Sequence, residues 1–174
     1  MFVENNTTRA EEIQVPLRIV GFDGKEYFTE TKTVLLAPGE VKQVYELSKL
    51  NFGKKAGPEK ALLLVEIVKE NKTIHSEPIY FTETKNLLLQ NPNLKADYLQ
   101  TENTLSIWVS SEKLAKNVVI EITNFEGTFN KNYVDIVPGR PVEFVFSADK
   151  LPHEAKPEIA MYSMFNATKR MVKL

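Results

Sequence analysis

The same stretch of sequence occurs twice in this chain of 174 residues, about a hundred residues apart. Each copy has an apolar strand-like run, a Pro-Gly dipeptide, a second strand-like run and a final Lys-Leu pair, over residues 34–50 and 134–151. Internal similarity at a fixed spacing is typical of two copies of one structural unit. A unit of this size can form a small β-sandwich but not a catalytic barrel of about 250 residues. The repeat therefore predicts two small domains.

Hydrophobic residues alternate with polar or small ones along most of the chain, with the period of two expected of half-buried strands. The first such run, residues 13–20, is followed by Asp23-Gly24, a strong hairpin signal. Residues 62–68 are almost all apolar and predict a central strand covered on both faces, although period alone does not distinguish it from a buried helix. Six or seven short strands in each half predict an all-β chain of two tandem immunoglobulin-like sandwiches.

The joint between the halves is a short polar stretch at residues 82–86 that contains no glycine, which favours a stiff connection. The predicted domains are residues 1–84 and 85–174. A final strand is expected over residues 159–165, continuing through Met171. Helical material is expected only as single turns near residues 48–50 and 149–151.

Composition excludes several classes of function. The net charge is -1, and nucleic acid is usually held through clustered Lys and Arg, so we expect no nucleic-acid partner. No stretch approaches the ~20 apolar residues of a membrane span, so we expect no membrane partner. The chain has no cysteine, so each domain must be stabilised by its own core or by its neighbour.

The acidic and histidine residues form no catalytic or metal-binding pattern. Glutamates considered as a catalytic pair are Glu11, Glu12, Glu66 and Glu143. Adjacent strand residues point to opposite faces, and we predict that all four point into solvent. His75 and His153 lack the spacing of metal ligands and are predicted at the surface. We therefore predict no catalytic residue, no metal site and no cofactor.

Trp108 is the candidate contact for carbohydrate. One face of its predicted strand carries Leu105, Ile107 and Val109. Trp108 then lies on the other face with Ser106 and Ser110. An exposed indole flanked by small polar residues is a platform on which a sugar ring can stack. The alternative is that Trp108 packs against a neighbouring domain or loop, since a single tryptophan is usually structural.

The segment around the second repeat carries two aromatic and two polar residues with separate predicted roles. Phe129 and Tyr133 are predicted in the sandwich core. Asn132 and Asp135 are predicted to fix the turn through local hydrogen bonds from side chain to backbone.

Four asparagines begin Asn-x-Thr triplets, the acceptor pattern for N-glycosylation. They are Asn5, Asn6, Asn71 and Asn166. Glycans on exposed turns are expected if the protein is eukaryotic and secreted, whereas in a bacterium the triplets are chance. The sequence leaves both alternatives open.

Three stretches of the sequence combine strand-like residues with characteristic turn residues, and they follow one another along the chain. Residues 2–7 read Phe-Val-Glu-Asn-Asn-Thr, followed by a strand and the Phe-Asp-Gly-Lys hairpin at residues 22–25. Residues 105–116 combine a strand with Ser-Ser and Leu-Ala-Lys, and in residues 129–139 an aromatic, an asparagine and a second aromatic precede Asp-hydrophobic-x-Pro-Gly. These stretches resemble the two immunoglobulin-like domains that follow the catalytic barrel in glycoside hydrolase family 2 β-mannosidases.

The resemblance implies an exo-acting hydrolase that releases terminal β-linked mannose with retention, using two glutamates of the barrel. The acid/base glutamate of such barrels follows an asparagine, and this sequence contains no Asn-Glu dipeptide, so no catalytic residue can be transferred. The chain is expected to be the non-catalytic C-terminal accessory part of such an enzyme, supporting the barrel and its assembly. Implied partners are the barrel itself, a second copy in a homodimer, and mannan or another oligosaccharide.

Two other functions stay open from the sequence. One is a carbohydrate-binding module that uses Trp108, and the other is a free-standing immunoglobulin-like adhesion protein. Because residues 2–3 already look like an established strand, we expect a longer parent polypeptide. We expect that parent to be exported, although neither the missing cysteine nor the missing signal peptide fixes the compartment.

Overall fold

The computed structural model describes residues 1–46, 56–151 and 155–171, with side chains described through residue 167. The elements in these ranges are β1 (Phe2–Glu4), β2 (Glu11–Gly21), β3 (Glu26–Leu36), β4 (Val41–Gln43), β5 (Ala61–Lys69), β6 (Lys72–Tyr80), a 3-10 helix (Thr84–Asn86), β7 (Lys95–Gln100), β8 (Thr104–Ser110), β9 (Ala115–Ile122), β10 (Thr128–Phe129), β11 (Val134–Ile136), β12 (Val142–Ser147), β13 (Ile159–Tyr162) and α1 (Met164–Met171). Strands dominate, which confirms the predicted all-β class. Among the described residues there is no helix with the length and hydrophobicity that a bilayer crossing requires.

The chain divides into two compact units. The first consists of Met1–Gly21 and Lys25–Leu88, and the second of Phe22–Gly24 and Leu89–Leu174. The domain bounds expected from the sequence, residues 1–84 and 85–174, remain a prediction.

The first unit has two antiparallel layers around one core. A four-stranded sheet has the order β3-β2-β5-β6, and β1 pairs with β4 in a two-stranded ribbon. The core between the layers contains Val3, Ile13, Val15, Leu17, Ile19, Val34, Leu36, Val44, Tyr45, Ala61, Leu63 and Val65. They come from both layers, so the alternation read from the sequence places one face of β2 in a sandwich interior, as predicted.

β5 is the central strand of this unit, as its continuous apolar run predicts. It pairs with β2 on one side and with β6 on the other. Leu62, Leu63 and Leu64 are each at most 1% exposed, so side chains on both faces of the strand are buried. Glu70 and Asn71 join β5 to β6 with φ of 49° and 61°, the positive values that a two-residue type I′ hairpin requires. Residues 62–68 therefore form the predicted strand, and a buried helix is excluded.

The second unit is also a sandwich with one interior. A four-stranded sheet has the order β10-β12-β8-β7, and a three-stranded sheet has the order β11-β9-β13. The core residues are Leu105, Ile107, Val109, Ala115, Val118, Ile120, Ile136, Phe144, Phe146 and Leu151. Both sheets contribute to this list. Over the described residues the two units have six and seven strands, as the sequence predicts.

The repeated Pro-Gly dipeptide forms the same β-turn in both units. Gly39 has a φ of 71° and Gly139 a φ of 76°. In each turn the N–H after the glycine donates to the carbonyl three residues earlier, at 3.1 Å and 3.0 Å. Proline followed by a glycine with positive φ is the pattern of a type II turn. The helical turn predicted at residues 149–151 is not formed, and Leu151 is instead a fully buried residue in an irregular segment. The helical turn predicted at residues 48–50 lies outside the described residues.

The end of the chain departs from the predicted strand. β13 ends at Tyr162, and α1 follows. Asn166 explains the change, because its Oδ1 accepts hydrogen bonds from the N–H of Ser163 at 2.9 Å and from the Ser163 hydroxyl at 3.1 Å. A side chain three residues into a helix that accepts from the backbone N–H of the cap residue makes one of the two reciprocal bonds of a capping box. The prediction of a strand continuing through Met171 is therefore wrong.

Glu66 on β5 is buried, so its predicted outward position is wrong. It is 3% exposed and pairs with Arg18 on the neighbouring strand β2, whose Nη1 contacts Oε2 of the carboxylate. The Arg18 side chain is 20% exposed, and its Nε also lies 3.7 Å from Oε1 of Glu26. Burying a charge without a partner costs free energy. The pairing of β2 with β5 avoids this cost, because it brings Arg18 and Glu66 into contact.

We expect Arg18→Met to lower the free energy of unfolding by about 3 kcal/mol, because it removes the guanidinium that pairs with the buried Glu66 carboxylate. Glu66→Leu should cost less, about 2 kcal/mol, because Arg18 keeps Glu26 and some solvent. The double variant should lose clearly less than the sum, since two apolar side chains replace the pair. Denaturant unfolding of the four proteins measures the coupling, and additive losses would contradict this account.

Tyr45 places a hydroxyl inside the first core. The side chain is 3% exposed, and its hydroxyl donates to the carbonyl of Val15 at 2.9 Å. The carbonyl oxygen of Glu30 is a second acceptor, 3.2 Å from the same hydroxyl. The Lys32 ammonium lies 4.5 Å from the ring centroid. Burial raises the pKa of Tyr45 to about 12, and the charge of Glu30 adds to the rise. The fold therefore favours the neutral phenol.

Tyr45 should make the protein sensitive to alkali. Below pH 10 the phenol is neutral in both states, and between pH 10 and about 12 only the unfolded chain releases the proton, so stability falls as pH rises. Tyr45→Phe should cost about 1 kcal/mol at neutral pH for the lost hydrogen bond, yet show a shallower loss between pH 10 and 12. Thermal unfolding against pH measures both effects. The matched control is Tyr162→Phe at an exposed strand position, and an equal flattening there would refute the assignment.

Candidate functional site

Trp108 lies on the outer face of the four-stranded sheet of the second unit. It is 38% exposed, whereas its strand neighbours Ile107 and Val109 are fully buried on the core face. Ser106 and Ser110 flank the indole on the outer face and are half-buried. The predicted division of the two strand faces is therefore confirmed. Its role as a carbohydrate contact remains a prediction.

Two carboxylates stand beside the indole. Asp97 on β7 and Glu143 on β12 are the direct cross-strand partners of Trp108, one on each side. Side chains directly opposite each other in antiparallel strands have Cβ atoms about 4.5–5.5 Å apart. Both carboxylates are exposed. The sheet register thus builds a row of carboxylate, indole and carboxylate that the sequence alone did not reveal.

The adjacent row on the same face is apolar at both ends. Leu99 on β7 and Val145 on β12 are the partners of Ser106. Leu99 is 60% exposed and Val145 is half-buried. A flat face with an aromatic ring, aliphatic edges and two carboxylates offers both contact types that a pyranose ring needs, stacking for its C–H face and acceptors for its hydroxyls.

A surface ion pair closes one end of this face. The Lys95 ammonium lies 2.8 Å from Glu112, and the Asn93 amide donates to the same carboxylate at 2.9 Å. The hydrogen bond from Lys95, followed by that from Asn93, lowers the pKa of Glu112, and the same contact raises the pKa of Lys95. Glu112 therefore stays ionised and engaged with its neighbours.

The row around Trp108 suits binding and not bond cleavage. Asp97 and Glu143 are two strand spacings apart, about 10 Å, on an open sheet face. A retaining glycosidase holds its two carboxyl groups about 5 Å apart, and an inverting one about 6.5–9.5 Å apart, on either side of an enclosed sugar. Nothing in this row encloses a substrate.

A concave region lies in the first unit, between β2 and the β5–β6 hairpin. The cavity has a volume of about 350 Å³ and is lined by Glu11, Glu12, Ile13, Gln14, Val68, Lys69, Glu70 and Asn71. Glu12 is exposed, as predicted. Glu11 is not free in solvent, because its carboxylate lies 2.5 Å from the Lys69 ammonium and 3.4 Å from Nε of Arg9.

Glu11 in this cavity is not suited to act as a general acid. The hydrogen bond from Lys69 is the main cause that lowers the pKa of Glu11, so its carboxyl group is ionised at neutral pH. A glycosidase acid needs the opposite shift, which holds a proton for the leaving oxygen. The predicted outward position of Glu11 is wrong in part, since the side chain is only 12% exposed.

Metal ligands are not assembled in the described ranges, where no group of three His, Asp or Glu residues comes together. His75 on β6 is exposed, as predicted, and its Nε2 lies 3.8 Å from the Glu77 carboxylate. The predicted surface position of His153 falls outside the described residues. Glu143, on β12, is exposed as predicted.

The two aromatic residues of the 129–139 stretch have different environments. Phe129 packs on the core, with its ring centroid 5.0 Å from that of Phe146, as predicted. Tyr133 is 74% exposed and has a φ of 59°, so its predicted core position is wrong. The alternation fails here because Tyr133 precedes β11 and does not belong to a strand.

Asn132 and Asp135 anchor this segment to β9. Asn132 Oδ1 accepts from the N–H of Ile120 at 2.9 Å, and Asp135 Oδ1 accepts from the N–H of Asn117 at 2.7 Å. The Lys116 ammonium adds a contact of 3.1 Å to Asp135. The predicted type of bond, from side chain to backbone, is confirmed. The predicted local range is wrong, because the partners lie on another strand.

Asn5 cannot serve as a glycosylation site in this fold. It is 5% exposed, and its Nδ2 lies 2.9–3.2 Å from the carbonyls of Arg9, Leu36 and Ala37. Its Oδ1 accepts from the N–H and the hydroxyl of Thr7 at 3.0 Å and 2.8 Å. The amide thus joins the N-terminal segment to the first Pro-Gly turn. Asn6, Asn71 and Asn166 are exposed.

The two sandwiches define a class of protein, a tandem pair of immunoglobulin-like domains. The model of the mannosidase Ig/CBM-like domain matches residues 1–86, and that of an Ig-fold domain of mannosidases matches residues 89–167. The chain therefore belongs to the immunoglobulin-like domain families of mannosidases, one family in each half.

Solved structures of two glycosidases share this fold. A β-D-mannosidase of Dictyoglomus thermophilum has a TM-score of 0.69 and 19% sequence identity, over 93% of this chain and 20% of the mannosidase chain. The exo-chitosanase CsxA of Amycolatopsis orientalis has a TM-score of 0.59 and 14% identity, over 93% of this chain and 24% of its own. The present chain thus spans a fifth to a quarter of those enzymes. No protein of curated function matches it.

Proposed function

We propose that this chain is the C-terminal accessory part of a retaining exo-β-mannosidase of glycoside hydrolase family 2. The observation that carries the proposal is the order of the two domain matches, the mannosidase Ig/CBM-like domain followed by the Ig-fold domain. A β-D-mannosidase chain about five times as long contains the same fold, which supports a larger parent with its catalytic barrel elsewhere.

The physical role of such domains is to support the barrel. Each unit has its own closed core and therefore keeps its shape without the barrel. Rigid sandwiches of this kind can fix a neighbouring domain and extend the surface used for assembly. Homodimerisation of the parent enzyme, expected from the resemblance, remains a prediction.

The 174-residue chain should show no turnover of an aryl β-mannoside, because Glu11 and Glu66 are ion-paired and Asp97 and Glu143 lie on an open sheet face. The polypeptide encoded by the complete gene should hydrolyse the same substrate with retention. Steady-state assays on both proteins, with product stereochemistry followed by NMR, test this. Turnover by the highly purified short chain would refute the proposal. A gene without a catalytic domain would refute it as well, in favour of an adhesion protein.

Carbohydrate binding by the second unit is a further candidate function. The observation that favours it is the row of Asp97, Trp108 and Glu143 on an exposed sheet face. The indole offers a stacking surface, and the carboxylates offer acceptors that hydroxyl groups can bind. We propose a β-linked mannan or a related oligosaccharide as the ligand.

Affinity electrophoresis in soluble mannan measures this binding directly. Wild-type protein should be retarded, and Trp108→Ala should abolish the retardation. Asp97→Asn and Glu143→Gln should each weaken binding about tenfold, the effect of losing one charge-assisted hydrogen bond.

The matched control is Tyr162→Ala, which removes an aromatic ring 42% exposed on β13, in the other sheet of the same unit. It should leave retardation at the wild-type level. Equal retardation of wild type and Trp108→Ala would eliminate this face as the binding site.

A further inference from the structure

Tyr133 combines two properties that folding alone does not explain. Its ring is 74% exposed, the highest exposure among the large hydrophobic side chains of the described residues. Its φ of 59° lies in the left-handed region, which a residue with a bulky side chain adopts only at an energetic cost. Neither property helps the core of the second unit. Strain of this kind persists where the surroundings enforce it, and it is frequent at functional contacts.

The surroundings enforce it here through the two anchors that bracket Tyr133. Asn132, immediately before it, is bonded to the backbone of Ile120, and Asp135, two residues after it, is bonded to the backbone of Asn117. Both donors, the N–H groups of Ile120 and Asn117, lie on β9, which pairs with β11 in the same sheet. The segment therefore holds the tyrosine backbone in a fixed position directly before β11, so little backbone entropy is lost when the ring is bound.

The polar neighbours of Tyr133 are turned towards their own domain. The Lys131 ammonium lies 5.7 Å from the centroid of the Phe144 ring, and Asn132 and Asp135 are engaged on β9. A glycan site needs polar groups beside the ring to bind hydroxyls, as Asp97 and Glu143 stand beside Trp108. A single projecting tyrosine whose neighbours are occupied suits a pocket on a protein surface, where Tyr is a frequent energetic anchor.

We propose that Tyr133 is an anchor residue that docks this domain onto the remainder of the parent glycosidase chain. The inference rests on the proposed function, which supplies that partner. The shared fold spans 20% of the Dictyoglomus mannosidase chain, so about four-fifths of a comparable enzyme is available as the docking surface. The contact that the Tyr133 ring makes outside these two domains offsets the backbone strain at its positive φ.

The test uses Tyr133→Gly, which removes the ring and relieves the strain at once, because glycine adopts positive φ freely. In the 174-residue chain the midpoint of thermal unfolding should rise by about 4 °C or stay unchanged. In the enzyme encoded by the complete gene, the same change should shorten the half-life of β-mannosidase activity at elevated temperature at least about fivefold. A loss of half-life in the complete enzyme without a loss of stability in the 174-residue chain would show that the ring stabilises docking and not the fold of its own domain.

Two controls isolate the ring. Asn117→Gly changes another residue with positive φ, 51°, without removing an aromatic side chain, and should leave the half-life of the complete enzyme unshortened. Tyr133→Phe keeps the ring and should retain most of the wild-type half-life. Loss of stability by Tyr133→Gly in the 174-residue chain would overturn the proposal, because the tyrosine would then stabilise its own domain.

Three further outcomes would each overturn the docking proposal. An active complete enzyme whose Tyr133→Gly half-life equals that of the wild type would overturn docking and leave the proposed function intact. If Tyr133→Gly instead removes retardation in soluble mannan, the ring is a glycan contact and docking is overturned. A complete gene product without β-mannosidase activity would reject the proposed function, and the docking inference with it.

Discussion

Burial of one face of each sheet against a second layer is the interaction on which every other feature depends. Each unit has no disulfide and must hold itself together through a single apolar interior. In the second unit, closure of that interior leaves the opposite sheet face and the turns free to carry polar and aromatic groups. The row around Trp108 exists because Ile107 and Val109 are fixed on the inner face, which leaves the indole on the outer one.

Polar side chains then fix what apolar packing leaves undetermined. Asn5 joins the N-terminal segment to the first Pro-Gly turn, and Asn132 and Asp135 tie the second repeat to β9. The Arg18–Glu66 pair places a charge inside the first unit, where both partners must be present together. Such bonds are specific in direction, so they position segments that hydrophobic contact alone would allow to shift.

The sequence predicted the fold correctly wherever a residue pattern allows only one local backbone conformation. Proline followed by glycine at residues 38–39 and 138–139 gave the same turn twice, and the apolar run 62–68 gave a strand buried on both faces. It failed for α1, because a capping bond between Asn166 and Ser163 overrode an apolar strand-like run. It failed for Glu66 as well, although that residue lies inside a run already predicted to be covered on both faces.

By itself the sequence determined the all-β class, the two repeated units and the face on which Trp108 lies, because alternation and turn chemistry act between near neighbours. Only the tertiary structure decided which side chains meet across strands. Asp97 and Glu143 flank Trp108 through sheet register, and Tyr133 is exposed because anchors on β9 hold its backbone. Those contacts join residues 11 to 35 positions apart, and no local pattern encodes a distance of that kind.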